Sequence, residues 1–377
     1  MKVPFIDLGR QHKAIKQELT KTFEKILDSN QFILGDIVKG FETEVASYID
    51  VKYAIGVSNC TNALLLSLRA LGVDAGDEVI TTPFTFIATA EVIAVLGATP
   101  VFCDIDPRTF NIDPNKISAC LSARTKAILP VHLYGQAADM DTITQIARVH
   151  NLKVVEDMAQ AIGATYKEKK VGTFGDTACI SFFPTKNLSA LGDAGMILTN
   201  DEDLDKKIRA FRVHGASKKY YHDFLGYNDR LDALQAAFLS VKLKYLDEWH
   251  ERRRYIAHKY DQGLRNVVTV PYIDSCNGSI YHQYTIRTPQ RDELRTYLGD
   301  CGIGTAIHYP MPLHMQPALH FLGCKEGAFP EAEKAAREVL CLPIHQNLTE
   351  EEVDYTVSKI RKFFHKGGRD AVEENFS

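Results

Sequence analysis

The chain has 377 residues, of which 45% are hydrophobic and 24% charged, and its formal net charge is -4. These values exclude a disordered chain, and the slightly acidic balance gives no sign of a nucleic-acid-binding surface. The length allows about two to three domains. No apolar run reaches the roughly 18 residues that a membrane helix needs, so we expect no membrane partner.

The eight cysteines are scattered and contain no Cys-x-x-Cys pair. Their spacing therefore indicates neither a metal site nor a redox motif. Cys103 and Cys179 lie in apolar runs, where a thiol acts as a small hydrophobic group. Because the N-terminus also has no secretory signal, we expect a cytoplasmic protein with reduced thiols.

Hydrophobic periodicity predicts that strands and helices alternate over the first 160 residues. Two helices, at 15–27 and 41–49, come first. Strands are then predicted at 53–57, 78–82, 99–103, 126–131 and 153–156, with helices between them at 63–71, 87–96, 116–121 and 140–150. Such alternation predicts an α/β fold in which crossover units surround a mostly parallel sheet.

The C-terminal part is predicted to form a second, smaller α/β domain. A long charged helix is predicted over 239–259, and we place the main boundary near residue 250. This gives a large domain at 1–250, including an N-terminal segment at 1–14, and a small domain at 251–377. The small domain is predicted to contain a strand at 281–287 and helices at 290–301, 331–339 and 350–363.

The stretch 181–187 suggests reactive chemistry. An apolar run over 178–183 predicts a buried strand, which Pro184 ends because proline cannot donate to a ladder. Lys186 follows, where a parallel sheet opens toward its ligand. Partial desolvation there lowers the pKa of a lysine and frees its amine to attack a carbonyl. The alternative is a solvated loop lysine.

Two other strand ends carry features that complement this lysine. Asp157 follows the strand at 153–156, and a polar turn at 58–62 leads into a helix whose first amides can hold an anion. The alternative for that turn is a simple helix cap. An imine-forming lysine, an acid for a pyridinium nitrogen and a phosphate cup are the minimal set for pyridoxal phosphate. Glu156 and Asp157 are adjacent, so their side chains face different ways. The alternative for one of them is a solvated acid without a role in the site.

Four segments, in order along the chain, resemble the nucleotide-sugar aminotransferases of the DegT/DnrJ/EryC/StrS family. They are 156–160, 181–187, 192–195 and 226–237. The resemblance runs from Pro4 to about Phe363. It implies fold type I of the pyridoxal-phosphate enzymes, like aspartate aminotransferase, with a large mixed, mostly parallel sheet and a small C-terminal domain. It also implies a homodimer with shared active sites.

The resemblance assigns roles by position. Lys186 would be the Schiff-base lysine and proton shuttle, Asp157 the partner of the pyridinium nitrogen, and Gln160 a contact to the ring hydroxyl. Phe86 would stack on the cofactor ring. The phosphate would be held by Cys60, Thr61 and Ser181, together with Asn228 of the other subunit.

The segment 307–317 is similar to the His-Tyr-Pro-x-Pro-Leu segment of the branch that aminates carbon 3 of the sugar. The alternative is an ordinary polar pair in a proline-rich loop. The chain as a whole is most similar to enzymes acting on UDP-linked 3-oxo-N-acetyl sugars, such as those of O-antigen synthesis. The substrate candidates are Arg230, His308 and Tyr309, with Phe32, Ile33 and Gly35 at the nucleotide end.

The resemblance thus implies a transaminase that converts a nucleotide-linked 3-keto sugar to the 3-amino sugar with L-glutamate as donor. The expected substrate is of the UDP-2-acetamido-2-deoxy-3-oxo-hexose type, for lipopolysaccharide or another surface polysaccharide. Alternatives within the family are a dTDP-3-keto-6-deoxyhexose and a 4-keto sugar. Alternatives outside it are a cofactor-binding regulator and a fold type I enzyme with other chemistry, such as desulfuration.

Overall fold

The computed structural model describes residues 1–373, with side chains described as far as His365. The last four residues of the predicted small domain, 374–377, lie outside the described part. The helices are α1 Leu8–Ser29, α2 Gly35–Ile49, α3 Cys60–Ala70, α4 Ala88–Val95, α5 Pro114–Ile117, α6 Met140–Val149, α7 Glu202–Phe211, α8 Ala233–Leu243, α9 Leu246–Leu264, α10 Arg291–Asp300, α11 Pro330–Glu338 and α12 Glu350–Glu373. The strands are β1 Tyr53–Val57, β2 Glu78–Thr81, β3 Thr99–Phe102, β4 Thr125–Leu129, β5 Lys153–Asp157, β6 Thr165–Tyr166, β7 Lys169–Lys170, β8 Thr177–Ser181, β9 Gly195–Thr199, β10 Ala216–Lys218, β11 Tyr221–His222, β12 Asn277–Gly278, β13 Tyr284–Arg287 and β14 Val339–Leu342.

A seven-stranded sheet in the order β1-β9-β8-β5-β4-β2-β3 forms the centre of the large domain. The strands from β8 to β3 pair in parallel, whereas β9 is antiparallel to both of its neighbours, β8 and β1. The predicted α/β fold with a mostly parallel, mixed sheet is confirmed. Parallel strands are buried on both faces, which explains why they appear in the sequence as short apolar runs.

Helices cover both faces of this sheet. Because successive side chains of a strand alternate, Val154 belongs to the core formed with α1, α2, α6 and α8, and Val155 to the core formed with α3, α4 and α7. Four of these helices begin at an Asn or Asp whose side chain accepts a first-turn amide: Asp7 for α1, Asn59 for α3, Asp139 for α6 and Asp201 for α7.

The C-terminal part has its own core. It unites α9, α10 and α12 with the antiparallel pair β13–β14, and includes the buried side chains of Tyr260, Tyr284 and Leu340. The helices predicted at 290–301 and 350–363 are confirmed by α10 and α12. Helix α9 runs across residue 250, and the division of domains there stays a prediction.

The prediction of one helix over 239–259 is wrong. The chain forms two helices, α8 and α9, which are separated at Lys244 and Tyr245. The sequence does not reveal this break, because the break comes from tertiary packing. Helix α8 packs on α1 and α2, whereas α9 packs on α12. The strand predicted at 281–287 begins only at Tyr284, since Gln283 donates its amide to Tyr134 instead.

None of the helices within residues 1–373 combines the length and apolarity needed to cross a bilayer.

Candidate active site

The carboxyl ends of β5 and β8 and the start of α3 open into one cleft of ≈ 620 Å³. In open α/β sheets, ligands bind at this edge. The cleft brings together nine of the residues singled out in the sequence: Cys60, Thr61, Phe86, Asp157, Gln160, Ser181, Lys186, His308 and Tyr309.

Lys186 lies in a turn just beyond the end of β8, where its amide donates to the carbonyl of Phe183 at 2.8 Å. Its side chain is half-buried in the cleft wall. Burial lowers the pKa of the Lys186 amine, and the nearby Asp157 and Cys60 oppose this shift only in part. An amine in this state is a better nucleophile and proton acceptor than a solvated lysine.

Asp157, at the end of β5, is buried and held at both carboxylate oxygens. The amide of Ala159 donates to Oδ1 at 3.1 Å, and the hydroxyl of Thr89 donates to Oδ2 at 2.9 Å. Burial raises the pKa of Asp157, while these two hydrogen bonds and the nearby Lys186 oppose the rise. The result is a rigid acid aimed at the cleft, suited to accept a cationic N–H.

Glu156 faces the opposite side of the sheet and is also fully buried, so neither of the two acids is the solvated one that the sequence left open. Its carboxylate accepts hydrogen bonds from the backbone amides of Gly172, Phe174 and Gly175, and lies 3.0 Å from Nε2 of His132. Burial alone would raise the pKa of Glu156, but these partners outweigh burial and the pKa is lowered. Glu156 therefore anchors the loop after β7.

The amide of Gln160 has a fixed orientation. The backbone N–H of Tyr134 donates to Oε1 at 2.8 Å, so Oε1 is the acceptor end, and Nε2 donates to the Tyr309 hydroxyl at 3.2 Å. Burial raises the pKa of Tyr309, which keeps its hydroxyl protonated. A donor amide beside a neutral phenol suits an anionic oxygen on a ligand ring.

The start of α3 provides a cup for an anion. The Asn59 side chain accepts the amide of Asn62 at 2.9 Å, whereas no hydrogen bond within the described chain engages the amides of Cys60 and Thr61. Gly195 lets β9 begin close against this turn, since a Cβ there would lie 2.4 Å from the carbonyl carbon of Asn59. Free amides at the positive end of a helix suit a phosphate group.

Phe86 presents its ring at the mouth of the cleft. The side chain is 56% exposed, and its ring centroid lies 6.3 Å from that of Tyr309. A large exposed aromatic face in a cleft is suited to stack on a flat ligand ring.

The remaining sequence candidates lie outside this cleft, on two segments that pair with each other. Ile33 forms an antiparallel bridge with Asp232, and the amide of Ala233 donates to the carbonyl of Phe32 at 3.1 Å. Asn228 and Arg230 come just before that pairing. Phe32, Ile33 and Gly35 line a separate shallow surface region.

Sequence reasoning missed Thr89, which orients Asp157 although 68 positions separate them. It also gave no role to His132, the buried partner of Glu156. The only local signal for Thr89 is a hydroxyl in the first turn of a helix that follows the aromatic Phe86.

The residues fit pyridoxal phosphate on observations of this chain alone: two free amides at a helix start, a buried acid with restrained oxygens, and a desolvated amine converge in one cleft. Fold and site together define a pyridoxal-phosphate-dependent enzyme of fold type I. Comparison with known proteins gives the family. Residues 13–361 match the sequence model of the DegT/DnrJ/EryC1/StrS aminotransferase family, and the chain belongs to it.

Relatives and solved structures match over nearly the whole chain. A protein of Geobacillus stearothermophilus named pleiotropic regulatory protein is 52% identical, covering 97% of this chain and 99% of that protein. The UDP-2-acetamido-2-deoxy-3-oxo-D-glucuronate aminotransferase of Pseudomonas aeruginosa is 44% identical, covering 92% and 96%. The crystal structure of DesV from S. venezuelae superimposes with a TM-score of 0.94 at 39% identity, covering 96% of this chain and 98% of that one.

These comparisons confirm the predicted family, the transaminase class and the cofactor. Relatives named for UDP-linked and for dTDP-linked sugars both match closely, so the family match leaves the substrate open.

Proposed function

We propose that the protein is a nucleotide-sugar 3-aminotransferase. It takes the amino group of L-glutamate and transfers it to a ketone at carbon 3 of a UDP-linked 2-acetamido-2-deoxy-3-oxo-hexose. The observation that carries the reaction type is the convergence of Lys186 and Asp157 in one cleft with the open start of α3. The substrate class is supported by the identity of 44% to an enzyme named for such a sugar and by His308 and Tyr309 in the cleft wall.

When bound, pyridoxal phosphate stores the amino group between the two half-reactions and draws electrons from the carbon that carries it. The chain holds this group at both ends. Cys60, Thr61 and Ser181 would hold the phosphate, while the Asp157 carboxylate would accept a hydrogen bond from the protonated ring nitrogen and keep it charged. The Nε2 donor of Gln160, whose amide is oriented by Tyr134, would bind the ring oxygen.

Lys186 moves the protons. In the first half-reaction its Nζ takes the proton from Cα of glutamate, and in the second it delivers a proton to carbon 3 of the sugar. Burial lowers the pKa of this amine. A larger fraction of the molecules therefore carries the neutral, basic form of Lys186 near neutral pH.

His308 and Tyr309 bind the sugar. Burial and the nearby Lys186 lower the pKa of His308, so the imidazole is neutral. Its Nδ1 lies 3.5 Å from Sγ of Cys341, which leaves Nε2 for a sugar hydroxyl. Phe86 would cover the open face of the cofactor ring. Binding energy from the distant nucleotide orients the reacting ketone.

The working form that we propose is a homodimer with shared active sites. Asn228, Arg230, Phe32 and Ile33 lie outside the cleft of their own chain, and 47% and 55% of the last two side chains are exposed. The nearby hairpin of β10 and β11, with the residues that follow it, also exposes large apolar side chains, among them Tyr220 at 81% and Leu225 at 91%. In a dimer these side chains would reach the partner's cleft, with Asn228 at the phosphate and Arg230 at the substrate.

A second candidate function follows from the relative that is 52% identical and named a regulatory protein. A cofactor-binding regulator would bind pyridoxal phosphate but transfer no amino group. We propose the enzyme because the cleft contains the groups that catalysis needs in addition to those that binding needs. We place the enzyme in the cytoplasm, a reducing compartment that suits its free thiols. There it would supply amino sugars for lipopolysaccharide or another surface polysaccharide.

The test is a panel of UDP- and dTDP-linked 3-keto and 4-keto sugars, each incubated with L-glutamate and holoenzyme and analysed by mass spectrometry. We expect the 3-amino product from the UDP-linked N-acetyl sugar at the highest kcat/KM. A dTDP-linked or 4-keto substrate preferred over it would overturn the substrate assignment. Cofactor binding without any product across the panel would favour the regulator.

A further inference from the structure

The loop at 182–194, which carries Lys186, has little regular backbone structure to fix it. Its internal backbone bonds are those of Phe182 with Ala194, Ala190 with Phe182, and Lys186 with Phe183, at 2.7–3.0 Å. These bonds close the ends of the loop and one turn. The position of the stretch after Lys186 must therefore come from contacts with neighbouring elements.

Two residues of helix α8 supply part of those contacts, in addition to the hydrogen bonds of Asn187, whose Nδ2 donates to the carbonyl of Ile280 at 3.4 Å and whose Oδ1 lies 2.9 Å from Nδ1 of His282. Nζ of Lys242 donates to the carbonyl oxygen of Ser189 at 2.7 Å and lies 3.3 Å from its hydroxyl. About two turns earlier on the same face of the helix, Oε1 of Gln235 accepts the amide of Leu191 at 2.8 Å. The helix thus holds the loop from three to five residues beyond Lys186.

Lys242 is an unusual residue for such a place. Its side chain is 0% exposed, and no carboxylate lies within 4.0 Å of its ammonium group among the side chains that the structure describes. Its third neighbour is Nε2 of His12 on α1, at 3.2 Å. The three N–H groups of an ammonium thus match three acceptors, provided that Nε2 of His12 is unprotonated.

A buried ammonium without a counter-ion costs stability. Burial lowers the pKa of Lys242 to about 8, and burial together with Lys242 lowers the pKa of His12. An apolar side chain of similar volume would fill the same space without this cost. What it could not supply is the hydrogen bond to the carbonyl of Ser189. Packing alone therefore gives no reason for a lysine here.

We propose that Lys242 is a positioning residue that clamps the loop at Ser189 and so fixes Lys186 for proton transfer. The inference rests on the proposed role of Lys186 as the reacting amine. In this reading, the chain accepts a cost in stability in order to restrain the segment on which that amine is mounted.

The test compares Lys242→Met with Lys244→Met, which removes an exposed lysine from the end of the same helix. Hydrogen exchange followed by mass spectrometry is measured on the cofactor-free protein. We expect amides at 186–192 to exchange roughly tenfold faster in Lys242→Met only, since a charge-assisted hydrogen bond is lost. The melting temperature of this variant should stay equal or rise, whereas kcat should fall with KM little changed.

Two outcomes would overturn the proposal. One is unchanged exchange at 186–192 in Lys242→Met. The other is faster exchange throughout the chain with a lower melting temperature, or failure of both Lys242→Met and Lys242→Leu to fold, because either would show that the lysine serves the core as a whole. Exchange in the cofactor-free protein does not depend on turnover, so this test stays separate from the substrate panel that tests the function itself.

Discussion

The hydroxyl of Thr89 donates to Oδ2 of Asp157 at 2.9 Å, and the hydroxyl of Thr85 lies 3.2 Å from that of Thr89. This short chain of hydroxyls connects the start of α4 to the acid at the end of β5. It fixes the plane of the carboxylate and leaves the rest of its acceptor capacity directed at the cleft. The acid that the cofactor nitrogen needs is thus oriented by a helix from another crossover unit.

Replacing Thr89 should therefore weaken cofactor binding. In Thr89→Val the shape is kept and the donor is lost, so we expect about a tenfold higher Kd for pyridoxal phosphate. Absorbance titration of the cofactor-free protein measures this. Thr89→Ser retains the hydroxyl and serves as the matched control. Equal affinities of the valine and serine variants would show that the hydrogen bond does not orient Asp157.

Replacing Lys186 should remove the chemistry. In Lys186→Ala we expect turnover to fall by at least about a thousandfold and the visible absorption of the lysine-linked cofactor to disappear. Stopped assays and absorption spectra measure the two effects, and circular dichroism checks the fold. Retention of either turnover or the visible band would contradict the role given to this lysine.

Glu156 predicts a pH dependence of stability. Its pKa is lowered on folding below the ordinary 4.5, so the unfolded chain binds more protons as the pH falls through that value. Glu156→Gln should cost about 3 kcal/mol at pH 7, because it removes the charge that faces His132 and three amides. The difference from wild type should shrink as the pH falls below 4.5.

Urea unfolding at pH 7 and at lower pH measures this difference. Glu202→Gln, at an exposed ion pair with Lys206, is the control and should leave the free energy of unfolding nearly unchanged at both pH values, because solvent screens the pair. A penalty for Glu156→Gln that stayed constant down to acid pH would mean that its ionisation does not stabilise the fold.

The shared active site predicts complementation between two inactive variants. If Lys186 of one subunit works with Asn228 of the other, a hybrid of Lys186→Ala and Asn228→Ala subunits contains one intact site. Random reassembly should then restore about one quarter of wild-type activity per site. Mixing after mild dissociation, followed by assay and light scattering, measures this. No recovery in a verified hybrid dimer would place both residues in one subunit's site, whereas full activity of the Asn228→Ala variant alone would place Asn228 in none.

Local signals were enough to predict most of the large sheet. Buried parallel strands need continuous apolar runs, and β1 to β5 and β8 have them. Among the strands of four or more residues in the described part of the chain, two escaped prediction. β9 follows a loop rich in small residues, and β14 comes directly after α11, so the end of the helical pattern at Glu338 hides its start.

The sequence predicted those site residues whose role follows from their own position at the end of a strand, as for Lys186 and Asp157. It was not predictable where a partner comes from elsewhere in the chain. His132 and the amides after β7 reach Glu156 only through the fold, and the buried Lys242 meets Ser189 in the same way. Period-two alternation correctly placed Glu156 and Asp157 on opposite faces, but alternation carries no information about what covers each face.

Because of this alternation, the register of β5 against its neighbouring strands decides which carboxylate faces the ligand. A slip of one position along its neighbours would present Glu156 to the ligand and bury Asp157 among the amides of the opposite layer. The alignment is pinned at the strand end, where Asp157 donates its amide to Pro130 at 2.9 Å and accepts one from His132 at 3.0 Å. Main-chain bonds that touch neither cofactor nor sugar thus decide which of two neighbouring carboxylates becomes the working acid.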